Sequence, residues 1–211
     1  RRRGEFVAIN CAAIPEALFE SEIFGVARGA YTGAERDRAG AFRRAHKGTL
    51  FLDELAELPS SQQAKLLRAV EQQQVLAVGA TAPYSVDVRL VAATHGNLLV
   101  RVEQGCFRAD LYHRLRGAVV RLPPLREHRE DIPLLVERAL HRSQSKTSTA
   151  EVSVAVSAME ALLCYGWPGN VRELLRCVEE AQLRAVAEGS SVLAVRHLRD
   201  ELRLQVTDEP L

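Results

Sequence analysis

Two acidic residues end an apolar segment and are the first candidates for chemistry. Asp53 and Glu54 follow the run TLFL, which is typical of a strand covered on both faces of a parallel sheet. Because ligands of open α/β sheets bind outside the carboxyl ends of the strands, both carboxylates are expected at a binding site. Phosphoryl transfer needs one carboxylate near Mg²⁺ and a second group that orients the attacking water, and these roles suit Asp53 and Glu54 respectively. The alternative is that the two acidic residues follow the strand only because their side chains are soluble in water, with no role in chemistry.

Arginines in two later segments could contact a phosphate. Arg108 and Arg114 lie in FRADLYHRL, and a neighbouring subunit's arginine can neutralise charge that develops on a γ-phosphate. Arg172, in GWPGNVREL, falls in the first turn of a predicted helix, where a cation opposes the helix dipole. The alternatives are ordinary surface ion pairs for the first two and a stem packed on Trp167 for Arg172.

Polar side chains also end two other predicted strands. Asn10 closes FVAIN, while Thr94 and Asn97 follow RLVAA. Such groups can detect a γ-phosphate or hold a water, but they are equally common as turn formers. If Asn10 bonded Glu54, it could keep that carboxylate turned away from its water.

A glycine-bounded segment places one aromatic ring on a predicted loop. In GAYTGA, Gly29 and Gly33 supply the backbone freedom of a tight turn around Tyr31. The alternative is an ordinary hairpin whose tyrosine folds back onto the core.

The elements that must position these residues alternate between strands and helices in the first part of the chain. Strands are predicted at 6–10, 49–53, 86–94 and 118–122, with helices at 15–24 and 60–74. This alternation favours a parallel, doubly wound α/β sheet. The predicted domains are an α/β part, 1–126, and a helical part, 127–211.

No further strand is predicted in the helical part. Its helices are expected at 131–142, 152–165, 170–189 and 195–205, with a loop at 143–150. Asn170 is expected to cap the third helix and Gly189 to end it.

Composition excludes several classes of function. The formal net charge of the 211 residues is +1, which gives no electrostatic case for nucleic acid or membrane as the main partner. No apolar run is long enough to span a membrane, and no signal peptide opens the chain. The four widely spaced cysteines favour reduced thiols in a cytoplasmic protein over disulfides or zinc.

The order of these segments resembles the central AAA+ ATPase domain of bacterial enhancer-binding proteins, the NtrC-like activators of sigma-54-dependent transcription. The resemblance covers nearly the whole chain, and GAYTGA is close to diagnostic of this family. It is carried by FVAINCAAIPEALFESEIFG, GAYTGA, GTLFLDEL, RLVAATHGNL, FRADLYHRLRGAVVRLPPLREHREDIP and GWPGNVREL. It implies an AAA+ P-loop-type parallel sheet flanked by helices, followed by a small helical lid.

The resemblance also implies roles for individual residues, with ATP and Mg²⁺ as cofactors. These are the Mg²⁺-coordinating residue Asp53, the catalytic base Glu54, the glutamate-switch residue Asn10, the sensor I residue Thr94, the arginine fingers Arg108 and Arg114, and the sensor II residue Arg172. The loop that would touch sigma-54 consists of Gly29, Ala30, Tyr31, Thr32, Gly33 and Ala34. Arginine fingers act on the next subunit, so self-association into a hexameric or heptameric ring is expected.

The sequence departs from the family pattern at several points. It contains no G-x-x-x-x-G-K-[ST] phosphate cradle, which the family places before FVAIN. We therefore expect a chain truncated before the end of the P-loop helix, with little ATPase activity of its own. Tyr31 replaces a usual phenylalanine, and Ala77 a common arginine. No helix-turn-helix follows residue 200, so DNA would be contacted only through a C-terminal module that is absent.

Three functions are consistent with the sequence. The first is a sigma-54 interaction ATPase domain that couples hydrolysis to remodelling of the polymerase holoenzyme. The second is a non-catalytic remnant that keeps the sigma-54-contacting loop. The third is another AAA+ machine, such as a helicase loader or chelatase subunit, against which GAYTGA argues.

Overall fold

The computed structural model describes residues 3–147 and 152–207. The chain divides into two compact units, unit 1 (Arg1–Val119) and unit 2 (Val120–Leu211). The boundary that the sequence suggests, between residues 126 and 127, stays a prediction. Within the described residues, every helix is too short or too polar to cross a membrane.

Unit 1 is a mixed α/β unit built on a small parallel sheet. Its elements are β1 (Phe6–Asn10), α1 (Glu16–Phe24), β2 (Gly25–Val26), β3 (Arg38–Ala39), α2 (Ala41–Arg44), β4 (Thr49–Asp53), α3 (Ser60–Gln72), β5 (Gln74–Val75), β6 (Tyr84–Ser85), β7 (Arg89–Ala92), α4 (Leu98–Glu103) and α5 (Ala109–Leu115). The three-stranded sheet has the order β1–β4–β7, and both pairings are parallel. The predicted fold class is therefore confirmed, and β1 and β4 have the predicted bounds.

The core of unit 1 lies on one face of this sheet, so the cover on both faces expected for TLFL is incomplete: Phe51, on the other face, is only partly buried. Leu50 and Leu52 of β4 are fully buried, because alternate side chains of a strand point to the same face. Ile23 of α1 and Leu66 of α3 belong to the same apolar cluster. Because β4 pairs with β1 on one side and β7 on the other, the turn after its carboxyl end lies at the middle of the sheet edge.

The strand predicted at 118–122 is wrong. This segment has no strand structure, and Val119, Val120 and Leu122 are 78%, 80% and 86% exposed. An apolar run becomes a strand only where a neighbouring backbone takes its N–H and C=O groups, and no described strand pairs with it. The third predicted strand is also shorter than expected, since β7 covers only Arg89–Ala92.

Unit 2 is predominantly helical, as predicted. Its elements are α6 (Ile132–Thr147), β8 (Ser153–Val154), α7 (Val156–Cys164), α8 (Asn170–Ala187), β9 (Val192–Leu193) and α9 (Asp200–Thr207). Trp167 is buried in its core and donates its indole N–H to the carbonyl of Leu162 at 2.8 Å. This bond satisfies the one polar group of the ring inside an apolar cluster.

Several details of unit 2 correct the sequence prediction. Ser153–Val154 was expected in a helix, yet it pairs in parallel with Val192–Leu193. Helix α6 runs through Thr147 into the predicted loop at 143–150, whose last three residues lie outside the described part of the chain. The predicted helix at 195–205 begins instead with a 3₁₀ turn, Val195–His197.

The start of α8 also differs from the prediction, because Asn170 does not cap it. Asn170 has a left-handed backbone (φ 54°), and its Oδ1 accepts the N–H of Leu125 at 2.9 Å. The residue that closes the helix start is Glu173, whose Oε2 accepts the N–H of Gly169 at 2.8 Å. At the other end, Gly189 has φ 68° and bonds Val186, as expected of a residue that ends a helix.

Candidate functional site

The carboxyl edge of the sheet brings together four of the residues singled out from the sequence. Asn10 ends β1 and Asp53 ends β4, and the two are register partners. Glu54 follows Asp53 directly, and Thr94 follows shortly after the end of β7. Parallel strands place their carboxyl ends at one edge, so the expected clustering of these residues is a direct result of the topology.

The turn after β4 has a strained and well-anchored backbone. Glu54 is left-handed (φ 54°, ψ 45°), and its N–H donates to Oδ1 of Asp53 at 3.1 Å. The N–H of Leu55 donates to the carbonyl of Ala93 at 3.0 Å, and the N–H of Ala93 donates to the carbonyl of Leu52 at 2.8 Å. A non-glycine residue in this conformation persists only where its surroundings determine it, which is common at functional sites.

The Glu54 carboxylate is bonded by a residue that sequence reasoning missed. Its Oε2 lies 2.5 Å from Nδ1 of His95. Asn10, considered as a partner of Glu54, instead accepts the N–H of Ala12 through Oδ1 at 3.0 Å. The available signal for His95 was its position directly after Thr94 at a strand end, since that edge collects polar groups.

Thr94 and Asn97 act as turn formers in this structure. Oγ1 of Thr94 accepts the N–H of Gly96 at 3.2 Å, and Oδ1 of Asn97 caps α4 by accepting the N–H of Leu99 at 3.0 Å. The turn-forming alternative left open by the sequence is therefore realised. A contact of Thr94 with a phosphate stays a prediction.

Arg108 is held at the start of α5 by both its backbone and its side chain. Its N–H donates to Oε1 of Gln63 at 2.8 Å, and its Nε and Nη2 donate to the two carboxylate oxygens of Asp110 at 3.0 and 2.7 Å. The hydrogen bond from Arg108 lowers the pKa of Asp110 from its ordinary value. Arg114, in the last turn of α5, is exposed and has no hydrogen-bond or ion-pair partner among the described residues.

Arg172 belongs to unit 2, where it occupies the first turn of α8. It is exposed and, within the described ranges, forms no hydrogen bond or ion pair. Its guanidinium is therefore available to an anionic ligand, although it lies where the helix dipole disfavours a cation.

The GAYTGA loop is a tight turn with an exposed ring. Gly29 and Gly33 have φ of 80° and 102°, and the N–H of Gly29 donates to the carbonyl of Ala34 at 2.8 Å. Tyr31 is 56% exposed, so in this structure its ring does not fold back onto the core. The base of the loop is fixed, since Ala27 donates to the carbonyl of Val78 at 2.9 Å.

The donor set at the sheet edge suits Mg²⁺ better than a transition metal. The described residues contain no group of three or more His, Cys, Asp or Glu side chains that could hold a metal by themselves. Mg²⁺ does not need such a cage, because it is commonly bound by one or two carboxylates together with substrate phosphates. The Asp53 carboxylate is an oxygen donor of this kind.

Two family models match the chain. The sigma-54 interaction domain matches residues 1–121, and the AAA+ ATPase lid domain matches residues 126–210.

Individual proteins agree with this match. The nitric oxide reductase transcription regulator NorR2 of Cupriavidus necator is 46% identical over 202 residues, covering 96% of this chain and 39% of that protein. The response regulator PilR of Pseudomonas aeruginosa is 51% identical over 176 residues, covering 83% and 40%. The chain thus spans about two fifths of these relatives.

A solved structure gives the same result for the fold. The crystal structure of NtrX from Brucella abortus in complex with ADP has a TM-score of 0.87 and 33% identity, covering 99% of this chain and 46% of NtrX. The chain belongs to the sigma-54 interaction domain family of AAA+ proteins, whose members are bacterial transcriptional regulators.

Proposed function

We propose that this chain is the ATP-hydrolysing domain of a sigma-54-dependent activator, which couples hydrolysis to remodelling of the sigma-54 polymerase holoenzyme. The observation that carries the proposal is the position of Asp53 and Glu54 at the carboxyl end of the central strand of the sheet. The family membership and the NtrX relative solved with ADP support a nucleotide as the ligand of this edge.

Asp53 and Glu54 have different tasks in this proposal. Asp53 would hold Mg²⁺, which supplies charge neutralisation at the phosphate oxygens when bound. Glu54 orients the attacking water and accepts its proton. Asn10, as the glutamate-switch residue, would link the orientation of Glu54 to contacts with the γ-phosphate. Thr94 would approach the γ-phosphate, and Arg172 would contribute a phosphate contact from the lid.

The arginines of the α5 segment are proposed to act on a neighbouring copy of the chain. Arg114 is exposed and has no partner within the described residues, and Arg108 presents a guanidinium oriented by Asp110. A guanidinium supplied in trans stabilises charge that develops on the transferred phosphoryl group. Activity would therefore require a ring, hexameric or heptameric, and would depend on protein concentration.

The exposed loop is proposed to contact sigma-54. Tyr31 is exposed at the tip of a turn, and an added Cβ at either of its two glycines, Gly29 or Gly33, would have nothing within 4 Å. Nucleotide-dependent movement of such a loop is a ligand-biased change between two states.

The test of catalysis is phosphate release by the full-length product of the gene that encodes this chain. Glu54→Gln should bind ATP yet lower kcat about 100-fold or more, because a general base contributes roughly 10²–10⁴ in rate. Glu71→Gln, on the exposed surface of α3, is the matched control and should leave kcat unchanged. Wild-type turnover by Glu54→Gln would remove Glu54 from this role.

Two further variants test the partner interactions. Mixing Arg114→Ala with Glu54→Gln should restore part of the hydrolysis, because each subunit then supplies what its neighbour lacks. Thr32→Ala should hydrolyse ATP normally but fail to engage sigma-54 in a binding assay. Equal loss of hydrolysis and engagement in Thr32→Ala would instead make the loop structural.

A second candidate function is a non-catalytic protein that keeps the sigma-54-contacting loop. It needs only the exposed GAYTGA loop, which the 211 residues contain, whereas they contain no G-x-x-x-x-G-K-[ST] motif. The same assays separate the two candidates, since this one predicts sigma-54 binding without phosphate release.

A further inference from the structure

We propose that His95 is a positioning residue that fixes the Glu54 carboxylate for proton acceptance, an inference that rests on the function proposed above for Glu54. Nδ1 of His95 lies 2.5 Å from Oε2 of Glu54. Hydrogen bonds to a charged acceptor are shorter and stronger than hydrogen bonds between neutral groups. The imidazole is 70% exposed, so core packing does not account for its placement.

The bond leaves the carboxylate half engaged. Oε2 is bonded to His95, whereas Oε1 has no hydrogen-bond partner among the described residues. A carboxylate anchored through one oxygen keeps the other oxygen free to accept a proton from water. This is the arrangement that a general base needs, because orientation and accessibility must hold at once.

The backbone around the pair fixes both partners. Leu55 donates to the carbonyl of Ala93, and Ala93 donates to the carbonyl of Leu52, so the chain after β4 is tied to the chain after β7. His95 lies within a turn that the Thr94 hydroxyl stabilises by accepting the N–H of Gly96. The ring therefore meets the carboxylate across two anchored turns.

No other described side chain forms a hydrogen bond with the Glu54 carboxylate. Oδ1 of Asn10 is engaged by the N–H of Ala12, and Oδ1 of Asp53 accepts the N–H of Glu54. His95 is thus the side chain that orients Glu54 in this structure, whereas the sequence pointed to Asn10.

The experiment compares His95→Leu and His95→Asn in the full-length protein. Leucine fills similar volume without a donor and should lower kcat for ATP hydrolysis about tenfold, a part of the general-base contribution, at unchanged KM. Asparagine carries an amide donor near the position of Nδ1 and should restore most of kcat. If His95 only stabilised the fold, His95→Leu and His95→Asn would have similar kcat values, and KM would change as well.

A measurement without nucleotide tests the contact itself. With ¹⁵N-labelled histidine, the Nδ1 resonance of His95 should shift in Glu54→Gln, because the charged acceptor is lost. His141→Leu is the matched control, since His141 faces Glu137 on the surface of α6 at 3.9 Å. This control should leave both the resonance and kcat unchanged.

The outcomes separate this inference from the proposed function. If Glu54→Gln abolishes hydrolysis but His95→Leu matches wild type, the positioning role is wrong and the proposed function stands. If His95→Leu adds a further loss on top of Glu54→Gln, His95 acts other than through Glu54, which also overturns the inference. If Glu54→Gln hydrolyses ATP normally, the proposed function fails, and the Nδ1 resonance still reports whether the pair exists.

Discussion

The buried amide of Gln63 accepts the backbone N–H of Arg108 at 2.8 Å and so fixes the start of α5 on α3. Its Nε2 also donates to the carbonyls of Leu58 and Cys106, at 2.7 and 3.1 Å. One side chain therefore satisfies three backbone groups in two segments of unit 1, at Leu58 and at Cys106–Arg108. The position of the proposed arginine finger depends on this interior polar side chain as well as on the exposed pair with Asp110.

Replacing Gln63 by methionine should lower the free energy of unfolding by about 3 kcal/mol. Three backbone groups would lose their hydrogen-bond partner, and each unsatisfied buried donor or acceptor costs about 1–3 kcal/mol. Gln62→Met is the matched control. Gln62 is also buried, but its Oε1 has no partner, so its loss should cost less than about 1 kcal/mol. Urea denaturation at constant m-value measures both, and equal losses would contradict the role assigned to Gln63.

The sequence predicted the elements that local pattern determines. The strands ending at Asn10 and Asp53 and the left-handed glycines of the loop result from apolar runs and turn chemistry. The sequence of a single segment does not reveal whether another strand pairs with it, which is why the prediction of a strand at residues 118–122 is wrong.

The same limit applies to the candidate site. The carboxylates could be predicted because they end an apolar strand, whereas the His95–Glu54 bond joins two loops far apart in sequence. The bond from the Leu125 N–H to Oδ1 of Asn170 likewise joins residues far apart in sequence, and no local signal reveals it.

Gly79→Ala should disturb the GAYTGA loop directly. A Cβ at Gly79 would lie 2.4 Å from Cβ of Ala30, and the residue has φ 76°. Gly105→Ala is the matched control, because Gly105 has φ 71° with nothing within 4 Å of an added Cβ. Both variants should lose roughly 1–2 kcal/mol from backbone strain.

Only Gly79→Ala should speed hydrogen exchange in residues 27–34 and weaken binding to sigma-54. Unchanged exchange in this segment would mean that the contact with Ala30 does not hold the loop.

The cysteines should differ sharply in reactivity. Burial, with the nearby Asp53 charge, raises the pKa of the Cys11 thiol to about 12, and Cys177 is also buried with a raised pKa. Since the thiolate is the nucleophile, iodoacetamide at pH 8 should modify the exposed Cys106 and Cys164 and spare the other two. Peptide mass spectrometry measures the pattern, and addition of urea should make all four react.

Acid should weaken unit 2 through Glu188. Hydrogen bonds from His197 and then Arg196 lower the pKa of Glu188 from its ordinary 4.5. The imidazole of His197 is buried and accepts the N–H of Ala194 through Nδ1, so its Nε2–H is the donor to Glu188. Because the folded-state pKa is depressed, this stabilisation is present above pH 4.5 and is lost as the pH falls through the lower folded value.

Glu188→Gln should therefore be less stable than wild type at neutral pH and should approach it in acid. Thermal unfolding between pH 7 and pH 3 measures this difference. Glu179→Gln, an exposed carboxylate on α8, is the control and should show a constant offset from wild type across the same range. A gap between wild type and Glu188→Gln that stays constant down to pH 3 would show that the carboxylate charge does not hold His197 in place.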